Sequence, residues 1–167
     1  MPLLRQDGVV EDQWRHLDDG EPIPDGEPAT VSLHRWARER DRLYRRNGPI
    51  GLRLPNDATP TDLAQDIERF ELITLAFPRF TDGRAYSQAR LLRTRLKYRR
   101  ELRATGNVLR DQLLLMRRCG IDAFEVGERA VAENWINSFG DFDIFYQPAE
   151  DGRASILHQR MRACAND

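Results

Sequence analysis

Residues 72–126 constrain the fold more than any other part of the chain, because they read as strand, loop, helix, strand, loop, helix, strand. The first strand, Leu72-Ile73-Thr74-Leu75-Ala76-Phe77, is apolar except for Thr74 and runs into Pro78-Arg79-Phe80-Thr81-Asp82-Gly83-Arg84. A helix is expected from about Tyr86 to Lys97, and a second strand over 102–105 stops at Gly106-Asn107. A further helix follows to Cys119, Gly120 ends it, and residues 122–126 give the third strand. Near-continuous apolar strands separated by helices of this length predict a parallel sheet with crossover helices. The expected class is α/β: a mostly parallel sheet of repeated strand–helix units, open or half-barrel-like, in a single domain. Too few units are visible to close an eight-stranded barrel.

The remaining sequence sets bounds. A chain of 167 residues with 40% hydrophobic content can bury one genuine core. With 26 basic and 27 acidic residues, no global field draws it to nucleic acid or an anionic membrane. No apolar run reaches membrane-spanning length, and Met1-Pro2-Leu3-Leu4-Arg5 lacks the apolar core of a signal peptide. The two cysteines, Cys119 and Cys164, form no Cys-x-x-Cys pair. A cytoplasmic, reduced protein is expected, with no nucleic-acid or membrane partner.

In chain order, residues 1–29 read as an acidic, Pro- and Gly-rich arm packed loosely over the domain, with a strand-like piece around Val9–Trp14. Residues 30–147 form the expected α/β domain, and 148–167 a partly helical tail. Within the domain, Ser32 is placed to cap a helix, and residues 50–54 form a strand stopped by Pro55. Thr59 or Thr61 opens a short helix, residues 128–139 are helical in pattern, and Ile144-Phe145-Tyr146 is a last strand or a docking segment.

Three features carry possible chemistry. In open parallel sheets, ligands sit beyond the carboxyl ends of the strands, where loops meet helix N-termini. Thr81, Asp82, Gly83 and Arg84 occupy such a place, and Arg84 offers a guanidinium fork suited to oxyanions. The structural alternative is a turn with Asp82 as local cap and Arg84 in an ion pair. Next, Arg53, Arg103 and Glu125 lie in or at the ends of apolar strands, where a charge must be paired or used. Finally, Asn107 is a good N-cap for the helix after Gly106, with Arg110 and Asp111 in its first turns. The candidate anion site is therefore Thr81, Asp82, Gly83, Arg84, Arg103 and Asn107, supported by Arg53, Arg110, Asp111 and Glu125. A small oxyanion is the expected ligand.

Other chemistries find no local pattern. His16, His34 and His158 are scattered, and neither a His-Glu-x-x-His motif nor a nucleophile elbow occurs. Glycine-rich nucleotide fingerprints are missing as well. No metal and no cofactor of its own are expected. Arg90, Arg93, Arg95, Lys97, Arg99 and Arg100 form a basic run assigned to a solvated helix face or to docking of an acidic partner. Cys119 is read as a packed thiol.

The segments Phe77-Pro78-Arg79-Phe80-Thr81-Asp82-Gly83-Arg84-Ala85-Tyr86-Ser87, Val108-Leu109-Arg110-Asp111-Gln112-Leu113 and Arg118-Cys119-Gly120-Ile121-Asp122-Ala123-Phe124 resemble an uncharacterised bacterial family. That family is commonly labelled an oxidoreductase of sulfite reduction, and the resemblance spans about residues 30–147. Asn107 stands where the family pattern has Asp, and Ile121 where it has Phe. The resemblance implies an accessory protein of assimilatory sulfate and sulfite reduction, acting with or beside sulfite reductase or another sulfur-assimilation protein. The alternative is a small α/β enzyme using an Arg/Asp/Glu cluster at the strand ends on an anionic metabolite.

Overall fold

The structure, a computed structural model, describes residues 2–142 and 144–164. Eight strands form one sheet: β1 (Pro2–Arg5), β2 (Gly8–Glu11), β3 (Arg15–His16), β4 (Ala29–Ser32), β5 (Ile50–Leu54), β6 (Phe70–Phe77), β7 (Glu101–Gly106) and β8 (Ala123–Glu125). Their spatial order is β2-β1-β8-β7-β6-β5-β4-β3. From β3 to β8 every neighbouring pair is parallel, whereas β1 is antiparallel to both β2 and β8. The expected mostly parallel α/β sheet is thus present, and from β3 to β8 its strands succeed one another in chain order. Winding always in one direction keeps the crossovers on one face and curls the sheet into a half-barrel.

Helices α1 (Leu33–Tyr44), α2 (Arg84–Thr94) and α3 (Leu113–Arg118) are those crossovers, with α4 (Arg129–Trp135) and α5 (Ile156–Cys164) following β8. Ser32 caps α1 as its side chain accepts from the Arg35 amide at 2.9 Å. Alternation along the strands decides which side chains meet the helices. Leu52 and Leu54, Ile73 and Leu75, and Leu102 and Ala104 join Ala85, Ala89 and Leu92 of α2 in one buried cluster. Trp36 of α1 meets Phe70 edge-on at 4.6 Å between ring centroids.

Several local expectations are corrected. The expected loosely packed arm, residues 1–29, instead supplies β1, β2 and β3 of the sheet. The pairing that holds β1 joins Leu4 to Phe124, a contact too distant in sequence for local pattern to show. Asn107 does not cap a helix. Its amide donates to Phe77 O at 2.7 Å, and α3 begins only at Leu113 after a 3-10 turn over Arg110–Gln112. Arg93 does not belong to a solvated face. It is buried and donates to the carbonyls of Gly120, Tyr98 and Arg100 while pairing with Asp122. Of the two readings of Ile144-Phe145-Tyr146, the strand is not formed, and Phe145 makes only a single bridge with Ser155.

Candidate functional site

The sheet face turned away from the helices is the polar one. Register places Ser32, Arg53, Thr74, Arg103 and Ala123 side by side across five strands. Residues directly opposite in adjacent strands share a face, so all five point the same way. One row earlier come His16, Thr30, Gly51, Leu72 and Glu101. The chain between β2 and β3 crosses this face. A Cβ on Gly51 would lie only 3.2 Å from the Trp14 ring, which shows how closely that indole covers the sheet.

Arg103 is the centre of the polar face and is fully buried. Its Nη1 is 2.8 Å from Asp12 Oδ2 and 3.6 Å from Glu125 Oε1, and its Nη2 donates to Glu101 Oε1 at 2.9 Å. The other Glu101 oxygen accepts from Arg5. Asp12 holds the turn as well, because its Oδ1 accepts the Trp14 amide at 3.0 Å. Two guanidiniums therefore face three carboxylates on this surface.

His16 completes the cluster. Its Nε2 lies 2.7 Å from Asp12 Oδ2 and 3.9 Å from Glu125 Oε1, and its Nδ1 lies 2.9 Å from Thr30 Oγ1. Its side chain is 37% exposed, so the cluster opens to solvent at the imidazole. Burial opposes ionisation of Asp12, yet hydrogen bonds from His16 and the Trp14 amide, with the charge of Arg103, hold its carboxyl well below the usual carboxylate range. Glu125 goes the other way: burial pushes its pKa up, and the nearby Asp12 adds to this against the opposing pull of His16 and Arg103.

The expected anion site is not assembled as one unit. Asp82 fills the seat at the start of α2 itself, accepting the Arg84 amide at 3.3 Å and the Arg84 guanidinium at 3.0 and 2.7 Å. Asn56 donates to the same carboxylate. Thr81 and Gly83 are exposed beside it. Arg84 and Arg103 share no partner: the first lies past the end of β6, the second beside Thr74, three positions short of the end of β7. Asn107 is exposed, Arg110 pairs with Asp141, and Asp111 is exposed. Arg53 donates to Leu17 O and lines a groove of about 370 Å3 with Leu33, Pro55, Thr74, Ala76 and Thr105. Glu125 is the one supporting charge that does join Arg103.

Arg5, Asp12, His16, Thr30 and Glu101 are the residues that sequence reasoning left out of this cluster. The spacing Asp12-x-x-x-His16 is the only local trace they leave.

Comparison with known proteins decides the family. Residues 51–157 match the model of a family described as "Bacterial protein of unknown function (DUF934)". The chain belongs to that family. No curated protein and no solved structure matches it. The DUF934 match runs from β5 into α5 and so includes Arg53, Arg84, Arg103 and Glu125. Asp12, His16 and Thr30 lie ahead of it, and the cluster joins DUF934 residues to the N-terminal strands. No helix among the described residues is long and apolar enough to cross a membrane.

Proposed function

We propose that this protein is an accessory protein of assimilatory sulfate and sulfite reduction, working in contact with sulfite reductase and without a redox cofactor of its own. The pathway comes from the family resemblance. The observation that carries the docking role is an exposed apolar surface near the end of the chain. Phe142, Ile144, Tyr146, Leu157 and Met161 are all more than half exposed. Tyr146, Pro148, Ile156 and Leu157 line an apolar groove of about 310 Å3 on that surface. Exposed apolar side chains that line a groove mark interaction sites more often than singly scattered ones do.

The chemistry of the surface also describes its partner. Residues 152–164 carry Arg153, His158, Arg160 and Arg162 and no carboxylate. A matching face on sulfite reductase is therefore apolar at its centre and acidic at its rim. The expected result is that tagged wild-type protein retains sulfite reductase from extracts of its host, and that Leu157→Asp with Met161→Asp loses it while keeping the thermal midpoint. Retention of sulfite reductase by that folded double variant discards the docking surface.

The enzyme reading keeps one supporting observation. The groove floored by Arg53, Thr74, Ala76 and Thr105 lies at the carboxyl ends of β5, β6 and β7, where parallel sheets bind ligands. Saturable binding of an anionic metabolite that Arg53→Gln abolishes would favour it over the accessory role.

A further inference from the structure

We propose that Asp12, His16 and Glu125 form a binding site for a divalent transition-metal cation on the open face of the sheet. One atom from each residue, Nε2 of His16 and a carboxylate oxygen of Asp12 and Glu125, lies within 4.8 Å of both others. This inference does not depend on the sulfite assignment.

The separations suit a metal. Bonds from zinc-like cations to imidazole nitrogen or carboxylate oxygen are about 2.0–2.2 Å, which puts neighbouring ligand atoms roughly 3–4 Å apart. The His16–Asp12 and His16–Glu125 distances of 2.7 and 3.9 Å bracket that range, so a small widening of the first admits the ion. The imidazole favours a borderline cation such as Zn2+ over Mg2+ or Ca2+, while the two carboxylates also admit Mn2+, a harder ion bound more weakly.

The surroundings supply two further requirements. A ligating imidazole needs its other nitrogen fixed, and Thr30 Oγ1 stands 2.9 Å from His16 Nδ1 to accept that proton. A ligating carboxylate is steadied by a second hydrogen bond, which the Trp14 amide gives to Asp12 Oδ1. Charge balance points the same way: Asp12, Glu101 and Glu125 exceed Arg5 and Arg103 by one negative charge in a poorly solvated place. Arg103 Nη1 meets the same two oxygens that face His16, at 2.8 Å from Asp12 Oδ2 and 3.6 Å from Glu125 Oε1, so it neutralises part of that charge and an entering ion shares these carboxylates with it. The half-exposed imidazole is the side from which an ion enters.

The three ligands come from two ends of the chain. Asp12 lies in the stretch joining β2 to β3, His16 ends β3, and Glu125 ends β8. A bound ion would therefore tie the N-terminal segment to the DUF934 domain and raise the stability of both by mass action.

The test uses the untagged full chain, stripped with EDTA. Zn2+ and Mn2+ are each titrated by calorimetry, and the thermal midpoint is followed in parallel. The expected result is saturable one-to-one uptake with a higher midpoint, weakened at least about tenfold in both His16→Gln and Glu125→Gln. A second measurement needs no variant. Mn2+ added to isotope-labelled wild type should first broaden the amide signals of residues 12–16, 30 and 123–126. Absence of saturable uptake, uptake of wild-type strength in either variant, or broadening centred elsewhere overturns the site.

Discussion

The Arg103 guanidinium, on β7, lies 2.8 Å from the carboxylate of Asp12, a residue 91 positions earlier in the chain. That pair closes the open face of the sheet with the N-terminal stretch, and both side chains are almost fully enclosed, at 1% and 4% exposure. A charge so placed is tolerable only because it is answered by an opposite one.

Removing one partner should therefore cost more than a surface charge would. Asp12→Ala leaves one Arg103 nitrogen and the Trp14 amide without their acceptor, while Glu101 and Glu125 still answer the charge, and the expected loss of stability is about 1–3 kcal/mol. Asp12→Asn keeps an acceptor for the Trp14 amide and should lose less. Urea unfolding of the two variants beside wild type checks both the size and the order. A loss below that of an exposed pair in Asp12→Ala would show that the guanidinium is answered in full without Asp12.

Charges at the rim behave differently, and Asp82, whose partner Arg84 is exposed, shows how. Its hydrogen bonds from the Arg84 side chain, opposed by burial and helped by the Arg84 amide and charge, lower its pKa from 3.8 to about 2. A depressed carboxyl contributes stability that is complete above its unfolded value and lost as pH falls through the folded one. The Asp82 contribution should thus be intact above about pH 4 and vanish near pH 2. Carbon-detected NMR titration should place the Asp82 midpoint near 2 in wild type. The midpoint should move toward the ordinary carboxylate value in Arg84→Gln. An unchanged midpoint in that variant would mean that the pair does not govern the titration.

Gly106 ends β7 with φ at 92°, and a Cβ there would stand 2.6 Å from the carbonyl oxygen of Phe77. Both the backbone conformation and the close approach need glycine. Gly106→Ala should cost on the order of 3 kcal/mol, combining left-handed strain with a backbone clash. A thermal or urea midpoint equal to wild type would contradict this account of the β7–α3 turn.

The central sheet was legible because β5 and β6 are largely apolar, β7 alternates Leu102 and Ala104 with polar residues, and glycine or proline marks their ends. That pattern is local, and it survives in the observed bounds of Ile50–Leu54, Phe70–Phe77 and Glu101–Gly106. Strands β1 to β3 are two to four residues long; the strand-like piece read around Val9–Trp14 overlaps β2, but the pairing of β1 with β8 is too distant for any window of sequence to display. The candidate site suffered for the same reason. Arg103 could be recognised as a buried charge, but the residues answering it, Asp12 above all, arrive through that unseen pairing. Arg84 and Arg103 look like neighbours only if Arg103 ends its strand, and the register with Thr74 shows that it does not.

The most direct test of the account is growth of the protein's bacterial host after deletion of its gene, with sulfate, sulfite, sulfide or cysteine as the sole sulfur source. The accessory role predicts poor growth on sulfate and on sulfite, restored by sulfide or cysteine and by a plasmid copy of the gene. Normal growth of the deletion strain on sulfite, with sulfite reductase at full activity, would contradict it.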